Sequence, residues 1–372
     1  MVIQKREDDL VVASFGRSFY VLDDISFLRE IDEDLLKDEA TLFGLRDADL
    51  FVPRRNGRAK GTSIGGDFYA GENPEFGAVF TYYVNQKYET LKAKRKKKES
   101  KLNKELRDID FPGWDALEDE RNEDACTYWL IIEDQSGKVH KRIKSPTSKG
   151  FHRVAWDLRS ASSLPVHKGV KLDNFGAKGF LVSPGTYSGR LVKMENGKLT
   201  NLSEKVTFNV NTLYQPTIPA VANEEKEAFY DDYLSVVGDR NELQFKFNQA
   251  KKIASALEVS LTNATQSNDT YLVLMDSINK SLVKFEQEIV GFKTKNQVGE
   301  KNAPTLNDRI WGAGAPTFGS MHGPTETARQ SLALAKKIIL ELDTELNTID
   351  SLINTVVKDL EKLGAPAIHG VD

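Results

Sequence analysis

Two hydrophobic rhythms divide the chain near residue 215. Before that point, apolar residues come in short β-branched and aromatic runs between turn residues. After it, they recur at spacings of three and four. The run from Asp9 to Ser14, Gly16, and the run Phe19-Tyr-Val-Leu22 read as strand, turn, strand. Two strands cannot bury a face on their own, so residues 1–30 are expected to close a β-domain that begins upstream. A short helical turn is expected at 32–38, extended chain from Leu50, a glycine-rich surface loop at 56–72, and a strong strand from about residue 77. From Cys126 the β pattern returns. Strands are predicted at 127–133 and 139–143 around the turn Asp134-Gln-Ser-Gly137, at 154–159, after Pro184-Gly185, and at 205–211, with a further turn at Glu195-Asn-Gly197. Short strands with turns this frequent point to a β-sandwich.

Between these strands lies a charged excursion at about 86–124. From Lys87 to Arg107 it carries ten Lys/Arg against three Glu, with no apolar stripe wide enough to enter a core. Phe111-Pro-Gly-Trp114 breaks it, and 116–124 is acidic, so the two arms are expected to pair with each other.

Beyond 215, Leu243, Phe247, Ala250, Ala254, Leu257 and Leu261 form one seam, and Met275, Ile278, Leu282, Phe285, Ile289 and Phe292 a second. A third runs from Ala335 through Ile339, Leu342, Leu346, Ile349, Ile353 and Val356 to Leu363. These predict three long helices closing on each other as an antiparallel bundle. The last is expected as one rod of about 40 residues, about 60 Å at 1.5 Å per residue, with Pro324 at its first position and Gly364 and Pro366 ending it. Residues 294–323, rich in Gly and Pro, read as a long loop. The domain expectation is therefore 1–30, 31–214 with the helical insertion, and 215–372.

Composition narrows the function classes. A chain of 372 residues is long enough for two or three domains, and 40% hydrophobic with 28% charged residues is a globular balance. The net charge of −4 supplies no global field toward nucleic acid or anionic membrane. The longest apolar stretches, 130–132 and 338–340, are too short to span a bilayer. Cys126 is the only cysteine, so no intrachain disulfide or cysteine metal cluster can form, and its strand-like setting predicts a buried, inert thiol. The N-terminal residues lack the apolar run of a secretory signal; in a fragment such a signal would lie upstream.

No chemistry-bearing constellation stands out. The five histidines His140, His152, His167, His322 and His369 show no metal-ligand spacing. The acids Asp23/Asp24, Asp108/Asp110 and Glu133/Asp134 are adjacent on strands or sit at turns, where they point apart or cap the backbone. Gly61-Thr-Ser-Ile-Gly-Gly66 lacks the Gly-Lys-Ser/Thr of a phosphate loop. The basic run 92–104 has no interleaved aromatics, so it reads as a solvated helix rather than a polyanion site. No catalytic residue, cofactor or metal ligand is assigned, and no nucleic-acid partner or membrane span is expected. The residues that stand out are structural: Gly150, Trp156, Asp157, Arg159, Pro184, Gly185 and Tyr187. Trp156 is expected in the sandwich core, with Asp157 and Arg159 facing out or pairing across strands.

Several of these segments together resemble one family. The stretch from Asp9 to Asp24 looks like the end of the last blade in sortilin-like, bacterial-neuraminidase-repeat (BNR) β-propeller proteins of bacteria. Asn73-Pro-Glu-Phe-Gly-Ala-Val-Phe-Thr-Tyr-Tyr83 resembles the start of the domain after that propeller. Gly150-Phe-His-Arg-Val-Ala-Trp-Asp-Leu-Arg159, with Pro184-Gly-Thr-Tyr187, resembles the immunoglobulin-like domain also found in flagellar hook-assembly proteins. Leu306-Asn-Asp-Arg-Ile310 and Leu360-Glu-Lys-Leu-Gly-Ala-Pro366 look like the helical end of the same propeller proteins. The resemblance covers nearly the whole chain, in the family's order. It implies a multidomain β-plus-α chain: terminal propeller-blade strands, an immunoglobulin-like β-sandwich with a charged helical insertion, and an antiparallel three-helix bundle. It also implies an exported protein, periplasmic, outer-membrane-associated or extracellular, often labelled glycosyl hydrolase. The repeat signature Ser-x-Asp-x-Gly-x-Thr-Trp occurs nowhere in the chain, and no sialidase arginine cluster or nucleophilic tyrosine maps onto it. The expected function is thus a non-catalytic accessory module, monomeric, packed on the upstream propeller and presenting a surface for a protein or glycan ligand. The alternative is part of a glycosyl hydrolase or peptidase whose active site lies in the propeller.

Overall fold

The computed structural model describes residues 1–53, 73–124, 126–166, 178–214, 217–266 and 269–369. The glycine-rich segment 56–72 and His167 lie outside them. The fold is mixed, with several β-sheets and, among the described residues, seven α-helices. It divides into two compact units: Met1–Ala161 with Lys178–Gln215, and Ser162–Ala177 with Pro216–Asp372.

The first unit opens with an antiparallel meander of β1 (Val2–Gln4), β2 (Asp9–Ala13) and β3 (Phe19–Leu22). After 3-10 turns at Ser26–Arg29 and Leu35–Lys37 come β4 (Ala40–Leu42), β5 (Ala48–Leu50) and β6 (Ala78–Val84). The helices α1 (Leu91–Lys104) and α2 (Trp114–Asn122) follow. Then come β7 (Thr127–Asp134), β8 (Val139–Ser145), β9 (Gly150–Trp156), β10 (Arg159–Ala161), β11 (Lys178–Leu181), β12 (Gly185–Glu195), β13 (Lys198–Asn201) and β14 (Val206–Thr212).

The larger sheet runs β5-β14-β12-β7-β8, with β13 also on β12, and only the β14–β5 pair is parallel. The smaller sheet is β4-β6-β9, all antiparallel. Alternation along β6 sends Ala78, Phe80, Tyr82 and Val84 inward, each almost fully buried. The two sheets meet face to face through aromatic rings. Phe80 on β6 stands edge-on to Phe208 on β14 at 5.5 Å, and Trp156 on β9 meets Tyr187 on β12 at 5.4 Å. Gly189 on β12 makes room for this: a Cβ there would lie 2.2 Å from the Phe80 ring.

In the second unit, α3 (Asn223–Thr262) is the longest helix at 40 residues, while α7 (Glu326–Asp359) has 34. The expectation of a 40-residue last helix is corrected, although α7 is a single rod. Pro324 precedes the N-cap Thr325, whose hydroxyl accepts from Ala328 N at 3.2 Å. Ion pairs set the directions. Glu225–Arg329, Asp232–Lys336 and Lys246–Asp343 align α3 parallel to α7. Glu258 to Asn279 and Lys251 to Glu286 run α4 (Asp269–Val290) antiparallel to α3.

The expected loop at 294–323 is also corrected. It holds α5 (Lys293–Val298) and α6 (Leu306–Phe318). Contacts of Arg240 with Asn307 and of Tyr233 with Phe318 lay α6 antiparallel along the first half of α3. The middle leg of the bundle is therefore two helices, α4 and α6, interrupted after Val290. Phe247 and Phe285 stack at 4.8 Å inside it.

Candidate functional site

The highlighted strand residues occupy different parts of the first unit. Trp156 is fully buried, and its indole N–H donates to the Arg159 carbonyl at 2.9 Å. That bond closes the chain around Leu158, which sits at φ +52° and is itself fully buried. Arg159 donates to the Gly179 carbonyl on β11 at 3.3 Å, and Asp157 lies half-buried beside the tryptophan. The Tyr187 hydroxyl donates to the Ser183 carbonyl at 2.7 Å, bracing the Pro184-Gly185 turn against its own strand. Trp156 and Tyr187 thus meet in the core, while Gly150, at φ +121°, starts β9 six residues away from Trp156.

Beside Tyr187 lies a cleft of about 350 Å³ lined by Asp134, Ser136, Thr186, Tyr187, Ser188 and Lys205 among others. Its charged groups are already committed. One oxygen of Asp134 accepts from Ser136 N at 2.9 Å, Ser136 Oγ at 2.6 Å and Lys138 N at 3.0 Å. The other lies 2.9 Å from His140 Nε2. Burial pushes the carboxyl up, but the hydrogen bonds from Ser136, His140 and Lys138 outweigh it and hold Asp134 at about 2.

The Nδ1 atom of His140 is buried with no partner among the described residues. An unpaired N–H there costs more than an unpaired lone pair, which assigns the proton of a neutral ring to Nε2. Lys205 is tied to Glu133 at 2.6 Å, and Arg190 binds the same carboxylate at 3.0 Å. The hydrogen bond from Lys205 leads the causes that hold Glu133 below the usual carboxylate range. What remains for a ligand is a set of hydroxyls able to bind by hydrogen bonds. No nucleophile with an adjacent free base occurs in this cleft.

The other perturbed groups have structural settings. Cys126 is buried, and burial pushes its thiol up, which opposes thiolate chemistry. In the helical unit, burial pushes Arg240 down and Asp350 up. Arg240 is held by Asn307 at 3.1 Å and Asn241 at 3.3 Å. Among the described residues, no group of three or more His, Cys, Asp or Glu is placed to hold a metal ion, and no helix is long and apolar enough to cross a membrane.

Apolar surface is the more informative feature. Register places Val2, Val11 and Val21 side by side on one face of the β1–β3 meander, with Phe19 beside Ala13. Ile3, Leu10 and Leu22 line up on the other face, with Tyr20 beside Val12. Both faces are open: Val2 is 69% exposed, Phe19 72%, Tyr20 57% and Val21 56%. No protein-family model, no curated protein and no solved structure matches the chain.

Proposed function

We propose that the chain is a non-catalytic accessory portion of an exported bacterial BNR-type, sortilin-like propeller protein. In this reading β1–β3 belong to the last blade of that propeller. The sandwich is an immunoglobulin-like domain sealing it, and the helical bundle braces the assembly or presents a surface to a protein or glycan.

The carrying observation is the two-faced apolar meander. A sheet with one solvated face alternates apolar and polar side chains, whereas a sheet covered on both faces is apolar throughout. Propeller blades are stacked between neighbours in that way. Aligned valines on one face and aligned Ile3, Leu10 and Leu22 on the other fit a sheet with two neighbours. The committed polar groups around Asp134 favour a structural role over catalysis for the sandwich.

The test compares hydrogen exchange in this chain and in the longest natural open reading frame that contains it. Amides of β1–β3 are expected to exchange quickly in the chain alone and about a hundredfold more slowly in the longer product. Equal exchange in the two would overturn the reading. Turnover of aryl glycosides or a peptide library by the chain alone would overturn its non-catalytic part.

A further inference from the structure

The α1–α2 hairpin is unexplained by either unit's core. Neither helix buries a single residue. A helix of 14 residues is marginal in water without a packed face, and α1 is further burdened by like charges one turn apart, such as Lys94 and Lys98 or Lys97 and Lys101. Its partner within the chain is α2. Arg95 binds Glu120 at 2.6 Å and Glu99 at 2.6 Å, and the hairpin base is tied by Glu123 to Tyr88 and to Leu91 N, each at 2.8 Å.

These contacts use little of the hairpin's charge. Residues 87–107 carry ten Lys/Arg and three Glu, a balance of +7. Residues 108–124 carry eight Asp/Glu and one Arg, a balance of −7. Lys94, Lys98, Lys101 and Lys104 make no ion pair among the described residues, and neither do Asp115 and Asp119. At the far end an apolar corner stands open. Leu106 is 94% exposed, Trp114 77% and Phe111 61%, with the Phe111 and Trp114 rings edge to face at 5.0 Å.

We propose that this hairpin is a self-association surface, on which two copies of the chain meet about a two-fold axis parallel to the helices. That operation sets the basic α1 of each copy against the acidic α2 of the other and brings the two apolar corners together. The surface is self-complementary, as a two-fold contact requires. A foreign cation or polyanion would match only one arm, whereas a second copy matches both. The contact is small. α1 is about 21 Å long at 1.5 Å per residue, and two helices side by side offer a face of a few hundred Å² per copy. That puts it in the weak, transient class, and exposed charge pairs are screened by salt.

Sedimentation equilibrium of the full chain, from about 5 to 200 µM, tests this. A concentration-dependent dimer is expected in 50 mM NaCl, weakening about tenfold or more in 500 mM. The double variant Lys94→Glu/Lys98→Glu is expected to be monomeric, and so is Glu118→Lys/Asp119→Lys, whereas an equimolar mixture of the two restores a heterodimer. Trp114→Ser is expected to lose the dimer with an unchanged far-UV circular dichroism spectrum. The salt series on the unaltered chain stands even where a charge variant misfolds. A monomer at every concentration in low salt would overturn the proposal, as would a dimer indifferent to salt. So would a strictly monomeric chain retained on heparin or on immobilised polylysine, which would assign an arm to another kind of partner.

Discussion

Asp134 shows how much one carboxylate can do without being catalytic. It closes the β7–β8 hairpin through three donors on one oxygen and orients His140 through the other. Its folded pKa of about 2 lies below the ordinary value near 3.9. Its contribution to stability is therefore complete above about pH 4 and is lost as pH falls toward 2. Asp134→Asn keeps an acceptor for the turn but removes the charge. Urea unfolding between pH 5 and pH 2 should show a shallower loss of stability in the variant than in the parent chain, and identical slopes would refute this role. The turn itself is legible in the sequence Asp134-Gln-Ser-Gly137. The bond to His140 is not, because it depends on the pairing of the strands that the turn joins.

Among the elements that sequence pattern concealed, α6 is the longest. Gly312, Gly314 and Pro316 carry poor helix propensity and read as loop. The signal that could have found the helix is its start. Thr305 and Asp308 form a capping box, with Thr305 Oγ1 accepting from Asp308 N at 3.2 Å and the Asp308 carboxylate accepting from Thr305 N at 2.9 Å. The glycines serve packing, since a Cβ on Gly314 would lie 2.4 Å from the Tyr233 hydroxyl and 2.9 Å from the Phe318 ring. Tyr233 is buried, so its ring cannot yield freely, whereas Phe318 is exposed. Gly314→Ala should cost about 1–3 kcal/mol, read by chemical denaturation, and should perturb the tyrosine near-UV circular dichroism. Alanine favours helix intrinsically, so a stabilised variant would show that α6 does not pack on α3 as described. The seams of α3, α4 and α7 were readable because long amphipathic repeats state their own period.

On the scale of the whole molecule, the chain passes between its two units three times, after Ala161, after Ala177 and after Gln215. Residues 162–166, just after β10, belong to the second unit, where Pro165 lies against Gly238 on α3. A Cβ there would lie 3.1 Å from the proline ring. The sandwich core of Phe80, Tyr82, Trp156, Leu191 and Phe208 is contained within the first unit. A chain ending at residue 215 is therefore expected to keep a β-type circular dichroism spectrum and a cooperative melt. Amides near Leu164 should exchange faster once α3 is gone. Loss of the cooperative melt would show that the sandwich depends on the helices for its fold.

The sequence alone determined the period of each region, the turns between strands and the opposed charges of the hairpin arms. Each of these is local, written within one or two turns of chain. Tertiary structure alone decided the order β5-β14-β12-β7-β8, the division of the bundle's middle leg into α4 and α6, and the alignment of apolar rows on both faces of β1–β3. These depend on which distant segments pair, and an apolar residue carries the same local signal whichever neighbour buries it. The charged hairpin belongs to both levels. Sequence set its charges, and only the fold left its lysines, acids and aromatic corner facing solvent together.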